Sequence, residues 1–125
     1  LIKKMSITGI DISKANVLIM GFSFKENCPD IRNTKVFDVY NELSDYGIDV
    51  DVFDPWVDPN DALSLYNVVN TNSPKVEFYD AVIVAVNHHE FKKLGQDGIT
   101  KFMKETHIIY DLKYAFEKTN SILRL

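Results

Sequence analysis

Four short apolar runs punctuate the chain: Asn16 to Met20 (NVLIM), Ile48 to Phe53 (IDVDVF), Ala81 to Val86 (AVIVAV) and His107 to Tyr110 (HIIY). Nearly continuous runs of this length fit strands covered on both faces, as in a parallel sheet. Ile48 to Phe53 alternates instead, and Asn67 to Asn70 (NVVN) adds a candidate short strand. Helical signals fall between the runs. Val36, Val39, Tyr40 and Leu43 recur at the three-and-four spacing of one helix face. Asn33 suits an N-cap and Gly47 a C-terminal stop. Asp58-Pro59 reads as an N-cap followed by proline at the first helical position. Asn87 to Glu90 resembles a capping box with Asn in place of Ser or Thr, and Ile99, Phe102 and Met103 mark a further short amphipathic helix. Strand-helix-strand alternation predicts an α/β fold with a mainly parallel sheet of about five strands and right-handed crossovers.

In such a sheet, ligands bind beyond the carboxyl ends of the strands. Four loops therefore matter, those after Met20, Phe53, Val86 and Tyr110. The first reads GFSFKENCPDIRNTK and holds a single glycine, Gly21, where a dinucleotide fold would place G-x-G-x-x-G. It offers Lys25, Asn27 and Arg32 just ahead of a predicted helix N-terminus. Lysine is a compact point charge for phosphate, arginine grips it through two parallel hydrogen bonds, and the helix end adds free N–H groups. Phe22 and Phe24 alternate with polar positions and could flank a flat base or sugar. The bland reading is a long loop with solvated charges and packed aromatics. In the second loop, Asp54 could meet a ribose hydroxyl, but Asp-Pro is also a common turn starter, and we read it so. Trp56 reads as a packing residue rather than a stacking platform. In the third, adjacent His88 and His89 diverge on a helix and make a poor metal pair, so helix capping is the reading kept. In the fourth, Lys113 follows a strand end and could complete a three-cation anion site with Lys25 and Arg32.

Composition narrows the function. The chain has 125 residues with 46% hydrophobic positions, a size and balance that suit one globular domain. Net charge is −4 and the basic residues are scattered, which argues against nucleic acid as a partner. Cys28 is the only cysteine. An internal disulfide and a cysteine-based zinc site are thereby excluded, and a reducing cytoplasmic setting is the expectation. Without a base beside it, Cys28 reads as a structural thiol rather than a nucleophile. No apolar run approaches the roughly 20 residues of a membrane-spanning helix, so no membrane partner is expected. Residues 1–14 read as an entry segment or the tail of an interdomain helix, and residues 15–125 as one domain. No internal repeat or second domain is evident.

The runs VLIMGFSFKENCPDIRNTKVFDVYNEL, YGIDVDVFDPW, AVIVAVNHHEFKKL and IIYDLK resemble the C-terminal domain of the UDP-glucose/GDP-mannose dehydrogenase family. The bacterial branch acting on UDP-N-acetylhexosamines is the most similar. The likeness covers roughly residues Ala15 to Ala115, and its specific motif is G-F-x-F-K followed by D-x-R. It implies a three-layer, Rossmann-like, nucleotide-sugar-binding domain. The implied whole enzyme oxidises the C6 hydroxymethyl of a UDP-sugar to a carboxylate with two NAD, for surface polysaccharide synthesis. Its N-terminal domain binds NAD and carries the catalytic cysteine, and the whole is implied to be a homodimer. By the same likeness Phe24, Lys25 and Lys113 line the UDP-sugar site, and Arg32 reaches the NAD pyrophosphate. The family's glycine after Lys113 is Tyr114 here. G-x-G-x-x-G and a Gly-His-Cys-type nucleophile motif are absent, so this stretch alone is expected to bind and not to catalyse.

A stand-alone nucleotide-binding or receiver-like signalling module is the alternative. A receiver needs clustered acids after its first strand to hold Mg2+, and GFSFK is cationic there. The missing glycines weigh against an independent NAD module.

Overall fold

The computed structural model describes residues 1–112 and 122–124. Among them, the chain runs α1 (Ile2–Thr8), β1 (Asn16–Met20), α2 (Val36–Asp45), β2 (Asp49–Phe53), α3 (Pro59–Tyr66), β3 (Tyr79–Val84), α4 (His89–Thr100), β4 (Met103–Asp111) and β5 (Ile122–Arg124). The strands form one sheet in the order β2-β1-β3-β4-β5, and every neighbouring pair is parallel. The predicted α/β architecture is the one observed.

The apolar runs form strands because both sheet faces are covered. Val17, Ile19, Ala81, Ile83 and Ile108 point into a core that also takes Met5 of α1, Leu43 of α2 and Ala62 of α3. Leu18, Met20, Val82, Val84 and Ile109 point the other way, onto Phe91 and Ile99 of α4. β1 and β3 bury alternate residues against opposite helix layers, so the period-2 signal is lost and these runs read as continuously apolar.

Several local expectations change. The candidate strand at Asn67 to Asn70 reduces to one parallel bridge between Asn70 and Val52, and the fifth strand is Ile122–Arg124. Asn33 adopts a left-handed conformation, φ 59°. It therefore lies outside α2, whose N-cap residue is Lys35. Asp58 does cap α3, accepting the Asn60 N–H at 2.8 Å with Pro59 next. The Asn87 capping box does not form: α4 starts after His88, whose side chain makes no cap bond. Ile99 belongs to α4, whereas Phe102 sits in a turn and Met103 opens β4. No helix among the described residues is long and apolar enough to cross a membrane.

Candidate functional site

The strand order reverses direction between β1 and β3: β2 lies on one side of β1, and β3, β4 and β5 follow on the other. At such a switch point the loops leaving the two strands diverge and open a crevice at the carboxyl edge. A cleft of about 290 Å3 occupies that place. Ser23 to Glu26 come from the loop after β1, Thr34 to Val36 and Val39 from the start of α2, Ala85 and Val86 from beyond β3, and Leu112 from beyond β4.

Its floor is apolar. Val86 is buried, and Val36 and Val39 are partly covered. The mouth carries exposed Phe24, 58% accessible, with exposed Lys25 and Lys35. An apolar pocket with a few charges at its rim suits a ligand that has both a flat organic part and an anionic part. Lys35 shares the mouth at the N-terminus of α2, where unpaired backbone N–H groups add positive potential. Lys35 was visible as the end of the GFSFKENCPDIRNTK run, but only the fold shows that the chain turns back and sets it in the same cleft as Lys25.

Of the four residues singled out from the sequence, the structure brings Phe24 and Lys25 into one cleft. Arg32 lies beyond Phe24, in a separate shallow depression with Asp30 and Asn33. There its guanidinium forms a two-pronged pair with Asp30, Nε to Oδ1 and Nη2 to Oδ2, both at 3.1 Å. The Arg32 side chain and backbone N–H hold the Asp30 carboxyl below the usual carboxylate range, and Asp30 raises the Arg32 guanidinium in turn. Arg32 is 82% exposed, so solvent screens this pair and its charge stays open to a second anion. Lys113 and Tyr114 lie outside the described residues. The three-cation cluster is thus represented among the described residues by Lys25 alone at the cleft, with Arg32 set apart.

The loop keeps its shape through residues far along the chain. Gly21 adopts φ 99°, and a Cβ there would stand 2.6 Å from the Val86 Cβ. Phe22 is buried edge-on against Tyr66, with ring centres 5.5 Å apart. The loop closes on itself through the Phe24 N–H and the Asp30 carbonyl, 2.6 Å apart, and the Tyr66 hydroxyl donates to the Ile31 carbonyl at 2.7 Å.

Beneath it lies a buried polar cluster. Asp54 Oδ2 accepts from the N–H groups of Phe22 at 2.6 Å and Ser23 at 2.9 Å, and meets His88 Nε2 at 2.9 Å. Its Oδ1 accepts from the Trp56 N–H at 2.8 Å. With these donors and full burial, Asp54 has no oxygen turned outward for a ribose hydroxyl. It is the turn residue the Asp-Pro pattern suggested, with the loop after β1 bound to it. Trp56 covers His88, its ring centre 6.0 Å away, and donates Nε1–H to Glu90 at 2.9 Å.

His88 is the residue that sequence reasoning placed wrongly. It is fully buried, and although it occupies the N-cap position of α4 its side chain makes no cap hydrogen bond. Its Nδ1 accepts the Asn27 N–H at 2.9 Å, so the ring proton sits on Nε2 and faces Asp54. Ser23 Oγ donates to the Lys25 carbonyl at 2.9 Å and stands 3.1 Å from the same Nε2. The capping function passes to Asn27, whose Oδ1 accepts the His89 N–H at 2.9 Å. His89 is exposed, so the adjacent pair diverges as expected.

Comparison with known proteins fits this arrangement. Residues 18–118 match the model of the UDP-glucose/GDP-mannose dehydrogenase family, UDP binding domain. The chain is 48% identical over all its length to the UDP-N-acetyl-D-glucosamine 6-dehydrogenase of Salmonella typhi, of which it covers 29%. It is 49% identical to the enzyme of the same name from Pseudomonas aeruginosa, of which it covers 30%. The chain therefore spans less than a third of the length of these relatives. Its fold also matches the structure of the UDP-D-ManNAc dehydrogenase from Pyrococcus horikoshii, with a TM-score of 0.78 at 22% identity over 98% of this chain and 28% of that one. On the family match and the fold together, this chain belongs to the UDP-glucose/GDP-mannose dehydrogenase family and contains its UDP-binding domain.

Proposed function

We propose that the cleft between β1 and β3 holds the nucleotide part of a UDP-sugar, and that the chain serves a UDP-N-acetylhexosamine 6-dehydrogenase. The observation that carries this reading is the pairing of Phe24 and Lys25 at the mouth of an apolar cleft at the sheet's switch point. A pyrimidine fits the apolar walls, and the diphosphate meets Lys25, Lys35 and the α2 N-terminus. Lys113 is assigned to the sugar side of the same site, and Arg32 to the pyrophosphate of NAD. The exposed position of Arg32 beyond Phe24 supports a ligand other than the one in the cleft.

In this reading the enzyme removes two hydrides from the C6 hydroxymethyl group and passes each to an NAD, and water supplies the second carboxylate oxygen. The residues described here bind and orient the nucleotide. The hydride acceptor and the cysteine nucleophile belong to an N-terminal domain, in a cytoplasmic homodimer that supplies uronates for surface polysaccharide. Calorimetry with UDP tests the binding step. The chain is expected to bind UDP weakly, and Lys25→Ala is expected to lower affinity about tenfold, as for loss of one charge-assisted phosphate contact. No heat and no amide shift at saturating UDP would overturn autonomous binding.

A further inference from the structure

The loop that presents Phe24 and Lys25 contains no regular secondary structure between Gly21 and Lys35, yet it has to hold both side chains at the cleft. Two buried residues from outside the loop, and one exposed residue within it, account for that. Asp54, at the end of β2, accepts the Phe22 and Ser23 N–H groups. His88, beyond β3, holds the loop's far turn through the Asn27 N–H. Asn27 returns a bond from its side chain to the His89 N–H, at the first residue of α4. Lys25 lies between the two anchored points, two residues from each.

The imidazole connects the anchors. Its Nδ1 accepts from Asn27 and its Nε2–H faces Asp54, so one tautomer serves both sides. Asn27 stands at φ 52°, a left-handed conformation that Asn tolerates better than most side chains. We propose that Asp54, His88 and Asn27 form a positioning relay that holds the loop after β1 in the conformation presenting Phe24 and Lys25 to the nucleotide. None of the three lines the cleft; each acts by holding the loop in place. The inference rests on the reading of the cleft as the nucleotide site.

Two substitutions separate the arms of the relay. His88→Gln retains an amide donor toward Asp54 and loses the acceptor for Asn27. His88→Asn retains an acceptor at the Nδ1 position and loses the donor toward Asp54. Asn27→Ala, at an exposed position, removes the His89 contact and the tolerance for positive φ without disturbing the buried pair.

The test uses this chain, with UDP as the probe and nitrogen and amide NMR as the second readout. The wild-type ring is expected to show its proton on Nε2. His88→Gln and Asn27→Ala are expected to shift the Phe24, Lys25 and Asn27 amides and to weaken UDP binding about tenfold, at temperatures where the variants are fully folded. His88→Asn is expected to restore part of that affinity. A relay that only stabilised the fold would lower Tm and leave UDP affinity intact. That result, or a ring proton on Nδ1, overturns the proposal. If the wild-type chain binds no UDP, autonomous nucleotide binding fails by itself. The loop amides then decide the relay: unchanged shifts in His88→Gln and Asn27→Ala overturn it, and displaced shifts confined to Phe22 to His89 support it.

Discussion

Gly21 shows how one residue's freedom shapes the site. Its φ of 99° lies where L side chains are rarely found, and Val86 leaves no room for a Cβ. The tight passage lets β1 end against the loop beyond β3, and the cleft opens immediately after it. Gly21→Ala incurs both left-handed strain and a steric clash. We expect a loss of roughly 2–4 kcal/mol in unfolding free energy, measured by urea titration, from the sum of these two effects. A loss under about 0.5 kcal/mol would show that the loop relaxes freely. Gly21 and Lys25 could be picked out from the sequence because their chemistry is local. Asp54 and His88 could not be given their roles in that way. Their partners in the loop after β1 lie 31 to 65 positions away, and a side chain's hydrogen-bonding needs do not say which distant backbone will meet them.

At the scale of elements, local rules held where the first turn of a helix was self-sufficient. Asp58 and Pro59 supply both the cap oxygen and the preset φ of α3, so the motif needs nothing from elsewhere. Asp58→Ala is expected to cost about 1 kcal/mol, read as a shift in the urea midpoint, with no change in UDP affinity because α3 does not line the cleft. The start of α4 is the counterexample. Asn87 to Glu90 carries the residues of a capping box, yet its first free N–H is accepted by Asn27 from another loop. The His88 side chain is drawn inward by Asp54, and tertiary contacts override the local pattern. The short strand expected at Asn67 to Asn70 fails for a related reason. Asn67 is the left-handed C-cap of α3, and the Asn70 side chain ties Asp54 and Val57 together instead of extending a ladder.

For the whole molecule, charge and placement matter together. The chain carries a net charge of −4, while Lys25 and Lys35 share one cleft at a helix N-terminus. An anionic ligand therefore gains from a local field against an unfavourable global one, and both are screened by salt. UDP affinity is expected to fall as ionic strength rises from the regime of a ~30 Å Debye length to that of ~8 Å. The salt dependence should be shallower in Lys25→Ala, as followed by calorimetry across a salt series. An unchanged slope would remove Lys25 from the phosphate site.

The fold class was legible in the chain alone, as were the carboxyl edge of the sheet, where the cleft lies, and the loop that carries Phe24 and Lys25. Those depend on apolar periodicity and on residue types within a few positions of one another. The tertiary structure alone decided that Arg32 stands apart from Lys25 with Asp30, that Lys35 joins the cleft, and that a buried Asp54–His88 pair sets the loop. Each is a matter of which surfaces meet when β1, β2 and β3 come to lie side by side, and that adjacency is created by the sheet.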